Sequence, residues 1–261
     1  MRLSPLRLTE LVEVFRRVSP PDPARVAWLG EWDYAHRGLH GNGRVENSAS
    51  AFAAAMDARM GIECDIQRSA DDVPMVFHDW DFMRLIGRPE RTEALTAAEW
   101  KTLSYLEHEE APVALADLLA AVGGRVPVLV EIKSKRGYDV ERSCVAVAEC
   151  LAGYDGLHAV MSFDPRVARW FRKHSPGTVA GLVIREDELG YTQAAWQRRL
   201  AFRIARPEFV AYHVDALPNP WIAALRERGF PILAWTVDSA AKRELAAQVA
   251  DAPIAEGAGV A

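Results

Sequence analysis

The chain has 261 residues, half of them apolar, and a formal net charge of −5. This length predicts one large domain, because α/β barrels of similar size are commonly undivided. The acidic balance excludes a generic nucleic-acid binder, since affinity for a phosphate backbone requires a basic surface. The three cysteines, Cys64, Cys144 and Cys150, lack metal-ligand spacing, so neither a disulfide framework nor a thiolate zinc site is predicted.

Residues 1–31 are predicted to form a short helical appendage to a domain that comprises residues 32–261. Apolar residues recur at helical spacing from Leu8 to Phe15, and a proline-rich stretch that begins at Pro20 ends the helix. This amphipathic helix is expected to pack on its own protein and not on a membrane surface. Charged residues interrupt the same segment, so no signal peptide or membrane span is predicted and a cytoplasmic location is expected.

From Trp32 onward, short apolar runs alternate with amphipathic stretches, a pattern typical of parallel strands that are each followed by a helix. Gly123-Gly124 is a helix-stop signal, whereas Asp164-Pro165 and Asn219-Pro220 open helices. The predicted strands are Tyr34–His36, Gly61–Ile66, Pro127–Ile132, Ala159–Ser162, Val179–Ile184, Phe209–Val214, Ile232–Val237 and Ala252–Ala255. Eight strands with intervening helices favour an α/β fold of the (β/α)8 TIM-barrel type in a single domain, with a doubly wound sheet as the alternative.

Two of the predicted strands carry acids at a spacing of two residues. Glu63 and Asp65 share one face of the second strand, and the apolar third strand presents Glu131 and Lys133 on one side of its carboxyl end. A buried parallel strand has little reason to carry charges except at a functional rim. Carboxylates are hard oxygen ligands, so the cluster suits one divalent ion, Mg²⁺ or Ca²⁺. The alternatives are a half-exposed strand and a structural ion-pair network in which Lys133 and Arg37 neutralise the acids.

Two histidines, His36 and His78, each follow an apolar run at a position where a side chain can face a ligand. The ordinary histidine pKa is near 6.5, so one neutral imidazole can act as a base while a charged partner acts as an acid. A divalent ion, a phosphodiester, Arg37 and Lys133 would together bring a site with three carboxylates to about neutral charge. Structural roles are assigned to the remaining histidines, His40, His108, His158, His174 and His213.

Several short motifs occur together: His36-Arg37-Gly38, Glu46-Asn47, Glu63-Cys64-Asp65, His78-Asp79, Glu131-Ile132-Lys133 and, near the end, Ala234-Trp235-Thr236-Val237. In combination they resemble the glycerophosphodiester phosphodiesterase family. Its members are TIM barrels that cleave glycerophosphodiesters to glycerol 3-phosphate and an alcohol with a bound divalent metal. The resemblance implies that the acid/base pair is His36 and His78, that the metal ligands are Glu63, Asp65 and Glu131, and that the phosphate is held by Arg37 and Lys133. It also implies that Glu46 orders the site.

The hypothesis for the reaction uses both histidines. The metal lowers the pKa of a glycerol hydroxyl, which gives its proton to one histidine and attacks phosphorus. The other histidine protonates the departing alcohol. Water then reopens the cyclic glycerol phosphate. A small-molecule glycerophosphodiester substrate is thus the expected partner. Two alternatives stay open at this point: a phospholipase D-like enzyme of the same barrel group that acts on lysophospholipids, and a barrel that binds a phosphorylated metabolite without turning it over.

Two features depart from the family pattern. The turn that is Pro-Glu-Asn-Thr in relatives reads Val45-Glu46-Asn47-Ser48, which loosens the turn but removes no reactive group. The C-terminal stretch from Asp251 to Gly257 differs from the Thr-Asp-x-Pro ending of many relatives. No residue of the last predicted strand is therefore assigned to the site.

Overall fold

The computed structural model describes residues 18–260. The helix predicted from the spacing of Leu8 to Phe15 lies outside these residues. The strands are β1 (Tyr34–Ala35), β2 (Gly61–Arg68), β3 (Pro74–Val76), β4 (Val128–Ile132), β5 (His158–Ser162), β6 (Val179–Ile184), β7 (Phe209–His213), β8 (Ile232–Val237) and β9 (Ala252–Ala255).

The helices alternate with these strands along the chain. The α-helices are α1 (Pro23–Val26), α2 (Ala49–Asp57), α3 (Met83–Ile86), α4 (Ala97–Trp100), α5 (Leu115–Val122), α6 (Val140–Leu151), α7 (Pro165–His174), α8 (Ala195–Ala205), α9 (Pro220–Glu227) and α10 (Ala240–Val249). Short 3-10 helices cover Ala27–Gly30, Thr92–Ala94, Val214–Ala216 and Gly257–Gly259. Among residues 18–260, no helix combines the length and apolar character needed to span a bilayer.

Eight parallel strands close into a barrel within the described part of the chain. The pairing runs from β1 to β2, on through β4, β5, β6, β7 and β8 to β9, and β9 pairs with β1 again. The closing contacts join Tyr34 to Gly61 on one side and to Ile254 on the other. This closure confirms the predicted (β/α)8 TIM barrel and excludes the doubly wound sheet, which has two free edges. The short strand β3 is not one of the eight predicted barrel strands, and it pairs antiparallel with β2 outside the ring.

The predicted helix boundaries have the expected capping contacts. The side chain of Asp164 accepts a hydrogen bond from the backbone N–H of Arg166 at 2.9 Å, and Asn219 accepts one from Trp221 at 3.0 Å. Each cap is followed by proline at the first helical position. Gly123 ends α5 in the left-handed conformation, with φ of 54°.

The strands bury both faces, and the alternation of side chains decides which residues reach the inside of the barrel. Leu129 of β4 packs inside with Phe209 and Leu233, whereas its neighbours face the helices. Just before β1, Leu29 joins the same interior cluster, and its carbonyl accepts a hydrogen bond from the Tyr34 hydroxyl. Val26 and Leu29 of this segment therefore pack against the interior of the barrel, and the domain boundary after residue 31 stays a prediction.

Candidate active site

Three buried acids converge inside the barrel near the carboxyl ends of two adjacent strands. Asp65 of β2 lies directly opposite Glu131 of β4 in the parallel register, and Glu63 precedes Asp65 by two residues on the same face. Carboxylate oxygens of all three lie within 4.8 Å of one another. The residues are only 1%, 2% and 7% exposed for Glu63, Asp65 and Glu131. The structure thus brings together the three carboxylates that the sequence analysis selected as metal ligands.

Two positively charged side chains, Lys133 and Arg37, form ion pairs with this acidic cluster. Lys133 Nζ lies 3.1 Å from Asp65 Oδ1 and 2.9 Å from Glu131 Oε1. Arg37 Nε lies 3.1 Å from Asp65 Oδ2, an ion pair without hydrogen-bond geometry, and the Arg37 backbone N–H donates to Glu63 Oε2 at 3.0 Å. Burial alone would raise the pKa of Asp65, but Lys133 and Arg37 outweigh it and hold the pKa well below its usual value.

Negative charge exceeds positive charge in the cluster, and this excess raises the pKa of Glu63. Burial raises its pKa well above the ordinary value, and the nearby carboxylates of Asp65 and Glu131 raise it further. A bound cation would relieve this repulsion. The donor set consists of oxygen atoms alone, which is the set that Mg²⁺ and Ca²⁺ prefer. The residues present therefore fit a divalent metal ion, as the prediction of a metal cofactor requires.

The Glu46-Asn47 motif supports the cluster from the loop after β1. Asn47 is fully buried with a positive φ of 59°, a conformation that asparagine tolerates better than most residues. Its side chain donates to Asp65 Oδ2 at 3.0 Å and accepts from the Asp65 backbone N–H at 3.3 Å. Glu46 accepts from Arg37 at 2.8 Å and from Arg84 at 2.7 Å. The motif thus fixes the position of one carboxylate of the acidic cluster and of the Arg37 guanidinium.

His78 lies on the loop after β3 and is held by a carboxylate. Its Nδ1 is 2.7 Å from Asp79 Oδ1, and Arg84 Nε donates to the other oxygen of Asp79 at 2.6 Å. The Gln67 side chain donates to the carbonyls of His78 and Asp79 at 3.1 and 2.9 Å. A carboxylate on Nδ1 selects the tautomer in which that nitrogen carries the hydrogen, so Nε2 is left for proton transfer.

His36 is held in the same way, by a residue from the far end of the chain. Its Nδ1 is 2.6 Å from Glu256 Oε2, and its backbone N–H donates to the carbonyl of Ala255 in β9 at 2.8 Å. His40 Nε2 is 3.2 Å from the same oxygen of Glu256. The hydrogen bonds from His36 and then His40 lower the pKa of Glu256. Both catalytic candidates, His36 and His78, are close enough to Asp65 to lower its pKa.

Several residues of this site were not predicted from the sequence. Glu256 follows the last strand directly and was left unassigned, although a charge at the carboxyl end of a barrel strand is a usable signal. His40 was given a structural role, and the structure places it on the carboxylate that holds His36. Asp79 was noted within a motif but received no role, and Arg84 was not considered.

The fold and the site define a class: a TIM barrel whose carboxyl-end face combines a cluster of buried acids with two carboxylate-paired histidines. The glycerophosphoryl diester phosphodiesterase family model matches residues 36–258. The chain belongs to this family, as its motifs indicated. No curated protein sequence gives a significant match.

Solved structures of similar shape agree with this assignment of the fold. A phosphodiesterase of Oleispira antarctica, in complex with the product sn-glycerol-3-phosphate, has a TM-score of 0.74 at 20% identity, covering 86% of this chain and 92% of that one. A glycerophosphodiester phosphodiesterase of Thermotoga maritima has a TM-score of 0.69 at 23% identity, covering 85% and 92%. One of Parabacteroides distasonis has a TM-score of 0.70 at 20% identity, covering 86% and 92%.

Proposed function

We propose that the protein is a metal-dependent glycerophosphodiester phosphodiesterase that releases glycerol 3-phosphate and an alcohol. The observation that carries this proposal is the convergence of three buried carboxylates with two histidines, each paired through Nδ1 with a further carboxylate. Membership of the phosphodiesterase family supports the reaction class. The product complex of the Oleispira antarctica enzyme supports glycerol 3-phosphate as the retained half of the substrate.

Charge explains how an anionic substrate can approach the acidic cluster. Glu63, Asp65 and Glu131 would hold one Mg²⁺ or Ca²⁺ ion, which supplies positive charge for a phosphoryl oxygen and lowers the pKa of a bound hydroxyl. Arg37 and Lys133 lie on the same cluster and keep their charge, because the adjacent carboxylates raise the pKa of each against the effect of burial. Both can donate to the phosphodiester oxygens, and the arginine can do so with two parallel N–H groups.

The two histidines provide the proton transfers. Each has Nδ1 engaged by a carboxylate, Glu256 for His36 and Asp79 for His78, so each presents Nε2. One imidazole takes the proton of a glycerol hydroxyl as its oxygen attacks phosphorus, and the other donates a proton to the alcohol that leaves. The product of this step is a cyclic glycerol phosphate. Water then opens the ring with the two proton transfers reversed, which returns both histidines to their starting states.

Kinetics of single variants test this assignment. His36→Ala and His78→Ala should each lower kcat by about 10²–10⁴-fold on a glycerophosphodiester such as glycerophosphocholine, because each removes one proton transfer. His174→Ala is the matched control, since His174 is exposed on α7 and contacts the carbonyl of Trp170. Wild-type turnover in both site variants would refute the proposal. A rise in melting temperature with metal, together with no turnover in the wild type, would favour the non-catalytic barrel.

A lysophospholipid substrate is a second candidate, and exposed apolar side chains favour it. Leu189 and Tyr191 are 76% and 67% exposed on the loop between β6 and α8, and Trp196 at the start of α8 is 66% exposed. Loops that follow barrel strands surround the active site in TIM barrels. An acyl chain could therefore pack on this side of the entrance. A higher kcat/KM for lysophosphatidylcholine than for glycerophosphocholine would support this candidate, and the reverse order would support the glycerophosphodiester.

A further inference from the structure

We propose that His36, His40 and Glu256 form a second metal site, which takes Zn²⁺ or a similar transition-metal ion and blocks catalysis when it is filled. One ligand atom from each of the three side chains lies within 4.8 Å of the other two. The site is separate from the acidic cluster, which uses no histidine. The predicted block of catalysis depends on the proposed function, whereas the predicted binding does not.

The three side chains need only small shifts to coordinate one ion. Glu256 Oε2 is 2.6 Å from His36 Nδ1 and 3.2 Å from His40 Nε2. A tetrahedral zinc ion with bonds of about 2.0–2.1 Å sets its ligand atoms roughly 3.4 Å apart. The nitrogen atoms already point at the carboxylate oxygen, so an ion would take the place of the hydrogen atoms that now join them.

The backbone holds the ligands in place before any ion binds. His36 and Glu256 follow β1 and β9, which pair directly at the closure of the barrel. The chain then turns at Gly38, with φ of 76°, and the backbone N–H of His40 donates to the Gly38 carbonyl at 2.9 Å. A side chain at Gly38 would lie 2.9 Å from the backbone of Ala51, so the turn packs tightly on α2.

The donor atoms and their exposure set this site apart from the acidic cluster. Two imidazoles and one carboxylate are a ligand set that zinc accepts, and imidazole suits zinc, copper, iron and nickel better than Mg²⁺ or Ca²⁺. The side chains of His36, His40 and Glu256 are 14%, 24% and 32% exposed, so an ion can reach them from solvent.

Binding at this site would disable His36 in either catalytic role. The nitrogen that faces Glu256 is Nδ1. With an ion on Nδ1, the neutral ring carries its hydrogen on Nε2 and has no lone pair there to accept a proton. Donation from Nε2 would leave an imidazolate, which is an unfavourable product. The expected effect of zinc is therefore a loss of turnover, not a change in substrate affinity alone.

Binding is measured on the full chain with Zn²⁺ by calorimetry and with Co²⁺ by its visible absorption, both in saturating Mg²⁺. We expect the wild type and the control His174→Ala to bind one Zn²⁺ ion and to give the absorption of tetrahedral cobalt. Loss of an outer-shell partner alone costs 10–100-fold in metal affinity. The loss of a direct ligand in His40→Ala should therefore weaken zinc binding by at least about 100-fold.

Activity provides the second measurement. Zn²⁺ should inhibit the wild type, whereas the turnover that His40→Ala retains should resist this inhibition. Glu131→Gln, which lacks an acidic-cluster ligand, should lose turnover but bind zinc as tightly as the wild type. Equal zinc affinity in His40→Ala and the wild type, or loss of zinc binding in Glu131→Gln alone, would overturn the proposal. Zinc binding that depends on His40 in a protein without diesterase activity would uphold the site and refute the proposed function.

Discussion

Replacing Glu63 with glutamine should stabilise the metal-free protein while it removes a proposed metal ligand. Glu63 is 1% exposed, and a carboxylate oxygen lies within 4.8 Å of one from Asp65 and one from Glu131. Two unit charges at that distance repel each other by about 3.5 kcal/mol at an effective dielectric constant of 20. The hydrogen bond from the Arg37 backbone N–H offsets part of this repulsion, and a glutamine oxygen can still accept that bond.

The net effect follows from the direction of the pKa shift. Burial, Asp65 and Glu131 together raise the pKa of Glu63 even after the opposing contribution of Arg37, so the ionised form is disfavoured on balance. We expect Glu63→Gln to increase the free energy of unfolding of the metal-free protein by about 1–3 kcal/mol, which is less than the Coulomb repulsion because the hydrogen bond from Arg37 offsets part of it.

Urea unfolding at pH 7, with chelator and then with saturating Mg²⁺, measures this effect. A ligand at 100 times its Kd stabilises a protein by about 2.7 kcal/mol, and the wild type should show a gain of that order while Glu63→Gln gains much less. Glu141→Gln, at an exposed position on α6, is the matched control and should change little. A metal-free Glu63→Gln protein that is less stable than the wild type would refute the electrostatic reasoning.

Two further predictions concern the barrel frame. Asp164→Ala should cost about 1–2 kcal/mol at pH 7, because it removes the cap of α7. Burial would raise the pKa of Asp164, but Arg166 outweighs it and the pKa is lowered. The stabilisation is therefore present above the unfolded pKa near 3.9 and is lost as the pH falls. Urea unfolding should show a larger difference from wild type at pH 7 than at pH 3, and equal differences would contradict this. Gly181→Ala should destabilise by about 1–3 kcal/mol, since its Cβ would lie 2.3 Å from the Phe209 ring. The control is Gly177→Ala, where the added Cβ meets nothing within 4 Å. Thermal unfolding should show a lower melting temperature for Gly181→Ala than for Gly177→Ala, and equal melting temperatures would contradict this prediction.

The barrel and the acidic cluster could be predicted because both depend on local patterns. Strand alternation fixes which side chains share a face, so Glu63 and Asp65 had to point the same way. Glu131 joins them because neighbouring parallel strands end at the same rim, and the register places it opposite Asp65. In each case a short stretch of sequence and one rule of sheet geometry were enough.

Other parts of the site could not be predicted, because they depend on contacts between distant or irregular segments. The pairing of His36 with Glu256 joins residues 220 positions apart, and barrel closure alone creates it. Arg84 lies in α3, a helix of four residues that is too short to show a helical period. It links Glu46 to Asp79, and no local pattern indicates that contact. The strand β3 has three residues, which is likewise too few for a recognisable alternation.

The most direct test of the account is the metal dependence of glycerol 3-phosphate release from glycerophosphocholine. Protein that has been stripped with a chelator should be inactive, and Mg²⁺ or Ca²⁺ should restore its turnover. Glu131→Gln, treated in the same way, should stay inactive with either ion because one of the three proposed ligands is missing. Full turnover in the presence of chelator, or metal-restored turnover of Glu131→Gln at the wild-type level, would contradict the claim that these three carboxylates bind the catalytic metal.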